Sequence, residues 1–160
     1  MKKIFLCALF VTGCLFQAEA QDIANNALGL RLGDSDGFGT EISYQRGLGD
    51  NHRLEIDLGW RNNDDYDAYR LAGLYQWVWN IDGGFNWYAG AGAGLGNRDF
   101  NDNINNDDDD FFAFVAGDIG IEYNFDIPLI LSLDFRPEIG FDDYSDDLDL
   151  DIALGIRYQF

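Results

Sequence analysis

Few side chains in this sequence could do covalent chemistry, and their spacing does not suit it. The one histidine, His52, is followed by Arg53 and Leu54, and none of Ser35, Ser43, Ser132 and Ser145 stands beside it. A hydrolytic triad needs a nucleophile, a base and an orienting acid brought together. No spacing here announces one, so a non-enzymatic protein is expected. The abundant reactive group is the carboxylate. Asp34 and Asp36, then Asp64, Asp65 and Asp67, then Asp99, Asp102 and Asp107 to Asp110, and lastly Asp142, Asp143, Asp146 and Asp147 gather in polar stretches. Carboxylate and amide oxygens are the hard ligands that Ca²⁺ prefers. Asp99, Asn101, Asn103, Asp107 and Asp110 echo a calcium-loop spacing, but Ile104 replaces the turn glycine and Asp110 the bidentate glutamate. The expectation is solvated acidic loops with weak Ca²⁺ binding at most, and no other cofactor. The glycine-alanine run over residues 89–96 is no phosphate loop, because it has no lysine and no helix after it.

The elements that must carry these groups follow from composition and period. The chain has 160 residues, with 10 Lys+Arg against 29 Asp+Glu and a net charge of −19. That acidity argues against a nucleic-acid partner, which needs a basic surface. A helical membrane protein is excluded because no uninterrupted apolar run reaches the roughly 18 residues a span requires. Disorder fits poorly with 13 Phe, 8 Tyr and 4 Trp.

Residues 1–20 read as a secretory signal: Lys2 and Lys3, an apolar stretch over residues 4–16, and Ala18-Glu19-Ala20 as the cleavage site. Val11-Thr12-Gly13-Cys14 offers a competing lipoprotein signal that would acylate Cys14. The longer apolar stretch and the Ala-Glu-Ala site favour cleavage before Gln21. The remaining domain, residues 21–160, then keeps neither Cys7 nor Cys14, so disulfides and thiol chemistry drop out. It holds eight arginines and no lysine against 24 Asp and four Glu, a net charge of −20.

From Ala27 onward the pattern has period 2, the period of a strand. Leu54, Ile56, Leu58 and Trp60 alternate with Arg53, Glu55, Asp57 and Arg61; Leu129, Leu131, Leu133 and Phe135 alternate with Ser132, Asp134 and Arg136. Eight such segments predict an all-β chain. Short links at residues 47–52, 80–84 and 126–128 alternate with polar, mostly longer ones at 33–37, 62–67, 97–110 and 141–147. That is the pattern of an eight-stranded antiparallel up-and-down transmembrane β-barrel with short turns at one end.

Period alone does not say which face is outside. A soluble lipocalin-like barrel would turn the apolar face inward; a membrane barrel reverses it. The polar face mixes Arg31, Glu41, Arg53, Glu55, Asp57, Arg61, Arg70, Asp118, Glu122, Asp134, Arg136, Glu138, Asp149, Asp151 and Arg157 with small residues, as suits a narrow lumen filled by ion pairs. The apolar face gathers its rings at strand ends: Trp77, Trp79, Phe85, Trp87, Tyr123, Phe125, Tyr158 and Phe160 near the short turns, and Phe38, Trp60, Tyr69 and Phe111 near the long loops. Two aromatic belts are what a bilayer interface selects. Both features favour the membrane arrangement. Two residues break the ideal: Arg46 falls on the lipid-facing parity, and Pro137 should bring a bulge or a frayed end.

The ending Ile156-Arg157-Tyr158-Gln159-Phe160, an alternating run closing on phenylalanine, resembles the C-terminal signal of small Gram-negative outer-membrane barrels of the OmpA-transmembrane-domain and OmpX type. The resemblance implies an outer-membrane location, lipid and lipopolysaccharide as surroundings, a monomer, and recognition of Ile156, Tyr158 and Phe160 by the barrel-assembly machinery. It transfers no single role, because this fold hosts several. A structural or surface-interaction role (adhesin-like or envelope-stabilising) is expected first. A small porin-like channel is the alternative, and a secreted soluble ligand-binding barrel the third reading.

Overall fold

The computed structural model describes residues 23–33, 39–62, 66–100, 110–141 and 148–160. The secretory leader, the Cys14 alternative, most of the acidic loop residues and the Asn101, Asn103 and Asp107 portion of the calcium-like stretch lie outside them.

Eight strands follow one another: β1 (Asn26–Leu32), β2 (Thr40–Gly47), β3 (His52–Asn62), β4 (Tyr66–Asp82), β5 (Phe85–Phe100), β6 (Asp110–Asn124), β7 (Leu129–Gly140) and β8 (Leu148–Gln159). Each pairs antiparallel with the next, and β1 pairs with β8, so the sheet closes into a barrel in sequence order. Closure gives every strand a neighbour on both sides, so the sheet has no edge strand, as a lipid environment demands.

Alternation sets the two faces. Outward side chains such as Leu154 (60% exposed) and Ile152 (58%) are apolar, whereas inward Asp57 and Arg136 are 0% exposed. This apolar-out, charged-in arrangement is the inverse of a lipocalin-like barrel. Around the short-turn end, Trp79 stacks on Trp87 at 4.3 Å, and Phe85, Tyr123 and Phe125 continue the girdle edge-to-face at 4.5 and 4.7 Å. Across β4 to β6 the belt is therefore a packed band of rings, not isolated side chains.

The short turns are tight. Gly83, with φ of 52°, turns β4 into β5, a left-handed conformation that a side chain disfavours. Leu48 N–H donates to His52 O at 2.8 Å in the β2–β3 turn, and Phe125 N–H to Leu129 O at 3.0 Å in the β6–β7 turn. At the other end the ladders outrun expectation. Strands β4 and β5 have 17 and 16 residues, and their pairing continues to Tyr66 opposite Phe100. The expected loop over residues 97–110 therefore begins later, because Asn97 and its neighbours still find ladder partners on β4. Crossing a bilayer takes only about nine to eleven tilted residues.

Pro137 produces neither the expected bulge nor a frayed end. It pairs with Leu150 on β8, and β7 runs on to Gly140. On the β6 side the ladder simply lapses at Gly117 and Asp118 and resumes in unchanged register at Ala116 opposite Glu138. The ring lacks an N–H to donate there, and outward Gly117 leaves it room: a Cβ on that glycine would sit 3.3 Å from Pro137 Cγ.

Candidate functional site: the charged lumen

The period-2 alternation projects one charged or polar side chain inward from nearly every second position, and closure brings them together. Arg136, on β7, crosses the lumen to β3, four strands away in the ring of eight. Its guanidinium lies 2.8 Å from Glu55 and 2.8 Å from Asp57, with Glu41 of β2 at 3.7 Å. Toward the loop end, Arg31 reaches Glu41 at 2.9 Å, Asp134 at 2.6 Å and Asp151 at 2.6 Å. Arg70 donates to Glu41 at 2.6 Å and takes Glu138 in a two-pronged contact at 2.9 and 3.0 Å. Toward the short-turn end, Arg53 bonds Glu122 at 2.6 Å and Gln76 at 2.5 Å, while Arg157 bonds Ser43, Ser132 and Glu55. Gln45 adds a 2.6 Å bond to Glu55, and Gln76 donates to Asp118. Buried charges are tolerated when paired and hydrogen-bonded like this, and the forked guanidinium suits several carboxylates at once.

Two of the fifteen expected lumen residues depart from full burial. Asp149 is exposed at the loop end of β8, and Arg61 is half-buried near the end of β3. Both occupy inward parity at strand ends, where the barrel mouth opens to solvent. The other thirteen are buried: five arginines and eight carboxylates. Satisfaction is incomplete on both sides: among the described residues, Asp57 Oδ1, Asp118 Oδ1 and Asp134 Oδ2, and also Arg53 Nη2 and Arg136 Nε, are buried without a hydrogen-bond partner.

Sequence reasoning missed the apolar part of the lumen. Ala72, Leu74, Phe112, Phe114 and Ala116 form a buried cluster against the salt bridges. Phe111 to Ala116 is apolar throughout, so alternation could not show that Phe112 and Phe114 turn inward. The signal lay across the ladder. Gly96 and Gly94 face Phe112 and Phe114, and a Cβ on either would lie 2.3 or 2.2 Å from the opposing ring carbon. Tyr88 lies over Gly120 in the same way, with the Arg53 guanidinium 4.6 Å from its ring centre. Gly94 and Gly96 of β5 are thus seats for rings. Among its described side chains, that strand contributes no charge to the network, only Asn86, which bonds Glu122 at 3.2 Å.

The remaining expected sites lie apart from the lumen. Ile156, Tyr158 and Phe160 face outward, 44%, 59% and 63% exposed. His52 is half-buried on the outer wall, its ring 5.7 Å from Tyr75. Ser43 and Ser132 point inward and accept bonds from Arg157. Histidine and these serines therefore sit on opposite sides of the barrel wall. No group of three or more His, Cys, Asp or Glu among the described residues could hold a metal ion. Within the calcium-like stretch, Asp99 is the penultimate residue of β5 and Asp110 opens β6; residues 101–109 lie outside the described structure.

A closed, charge-filled barrel with an apolar exterior has close structural counterparts. The N-terminal β-barrel domain of Pseudomonas aeruginosa OprF superposes with a TM-score of 0.68 at 15% identity, over 86% of this chain and 98% of that one. The fold is that of small outer-membrane barrels. A de novo designed transmembrane β-barrel matches with a TM-score of 0.56 at 16% identity, over 89% of this chain and all (100%) of the other. The Yersinia pestis attachment invasion locus protein, Ail, matches with 0.57 at 15% identity, over 86% and 100%. No family model matches the sequence, and no curated protein matches it. At such identities the shared property is the fold.

Proposed function

We propose that this protein is an integral outer-membrane barrel, non-enzymatic and monomeric, with a structural or surface-interaction role. The barrel is a rigid wall, and the acidic loops at its long-ladder end are the interacting part. The observation that carries this reading is Arg136, 0% exposed and tied to strands on the opposite side of the barrel. A lumen cross-braced in this way resists opening. The β4–β5 ladder, whose Asp67–Asp99 pair lies beyond the level of Tyr69, Asn97 and outward Phe111, raises the loop end past the apolar belt. An attachment invasion locus protein uses the same scaffold, which supports a role at the surface. Outer-leaflet lipopolysaccharide is then the neighbour of the loops, and the outward Ile156, Tyr158 and Phe160 are the segment offered to the assembly machinery.

The surplus of buried carboxylates favours a second reading, a small cation-selective pore, because bare acid oxygens in a lumen attract cations. Planar-bilayer recording decides between them. Refolded wild-type protein is expected to give no resolved open-channel steps. Stable conductance that discriminates for cations would replace the closed-barrel reading with the pore.

A further inference from the structure

Arg46 is the only exposed arginine among those with described side chains; the others are buried in the lumen or, for Arg61, half-buried at the loop end. It stands on the outward face of β2, near the short-turn end, opposite Asn26 of β1 and Leu54 of β3. Asn26 holds it in place: Arg46 Nη1 donates to Asn26 Oδ1 at 2.7 Å, and Tyr44 Oη donates to the same oxygen at 2.8 Å. No ion pair with a carboxylate accompanies this among the described residues, although the chain carries a net charge of −19. Across Leu54, the β3 partner of Arg46, an outward cluster of amphipathic rings begins at His52 and runs onto β4. His52 pairs with Trp77, the His52 and Tyr75 rings lie 5.7 Å apart, and Tyr75 meets Trp77 edge-on at 5.1 Å. His52 Nδ1 is buried without a hydrogen-bond partner.

A permanent cation without an acidic partner, on a lipid-facing wall beside Tyr44 and two strands from Tyr75, needs a counter-charge from its surroundings. At the height of an interfacial aromatic belt that counter-charge is phosphate. A guanidinium binds phosphate through parallel N–H donors, while flat rings cover the glycerol region. We propose that Arg46, with Asn26 and Tyr44 bonded beside it and the His52–Tyr75–Trp77 rings flanking it beyond Leu54, forms a headgroup site for an anionic phospholipid in the leaflet on the short-turn side. The short turns of such barrels face the periplasm, so the occupant is a phospholipid and not the lipopolysaccharide of the other leaflet. The inference rests on the membrane reading above and adds a lipid preference to it.

The test uses the full mature chain refolded into phosphatidylcholine vesicles with and without phosphatidylglycerol. Insertion is followed by heat-dependent gel mobility, and retained lipid by native mass spectrometry after detergent extraction. Wild-type protein should insert in both vesicles and retain phosphatidylglycerol in preference to phosphatidylcholine. Arg46→Gln should insert equally well and lose that preference by roughly tenfold, the loss of one charge-assisted contact. Arg46→Lys should keep part of it. Equal enrichment in wild type and Arg46→Gln, or none in wild type, overturns the site and leaves the barrel untouched. Failure of the wild type to insert in either vesicle overturns the membrane reading and the site with it.

Discussion

Replacing Arg136 with alanine should lower folding stability by about 3–5 kcal/mol, the cost of stripping the partner from buried carboxylates. Glu55 keeps Arg157 at 3.2 Å and Gln45 at 2.6 Å. Asp57 loses the 2.8 Å contact to Arg136, while its second oxygen is already bare. The variant therefore leaves Asp57 as an uncompensated charge in a wall-to-wall packed lumen. Urea-dependent refolding into detergent micelles, followed by heat-dependent mobility and tryptophan fluorescence, gives the number. Adding Asp57→Asn should recover part of the loss, because the stranded charge is removed. A single-variant cost below about 1 kcal/mol would mean that solvent reaches the lumen freely enough to screen these groups.

Gly29→Ala should damage the closing seam rather than the core. Gly29 sits on β1 between Ser43 of β2 and Arg157 of β8. A Cβ there would lie 1.8 Å from the Ile156 carbonyl oxygen and 2.6 Å from Arg157 Cα, both backbone atoms. A flexible side chain could swing away, but a paired strand cannot move without stretching the β1–β8 ladder. Strand β1 has only seven residues, so the seam has little pairing in reserve. The expected effect is on the order of 3 kcal/mol or more, with a folded band that is faint or absent on unheated gels. Gly73→Ala is the matched control, since nothing lies within 4 Å of a Cβ there. Equal folding of the two variants would refute the close approach.

How much of this could be read without the structure depends on the kind of pattern. Where acid or arginine alternates with leucine, as in Leu129 to Glu138, each side chain's face follows from period 2, and thirteen of the fifteen expected lumen charges are buried. Where both faces are apolar, alternation is silent: Phe112, Phe114, Leu74 and Val78 turn inward from runs whose neighbours are equally hydrophobic. The glycine-alanine run was legible only as something other than a phosphate loop, because the rings seated against Gly94 and Gly96 come from β6. Pro137 announced a broken ladder without showing that β8 would hold the strand straight.

By itself, then, the sequence determined the strand number, the two faces of the wall and the end at which the turns are short, because a strand's period of two is a local property. Which charges meet was decided by closure. The stagger of a closed sheet sets the heights at which opposite strands face each other. Only that geometry carries Arg136 to Glu55 and Asp57, and only it leaves Asp118 with Gln76 as its hydrogen-bond partner.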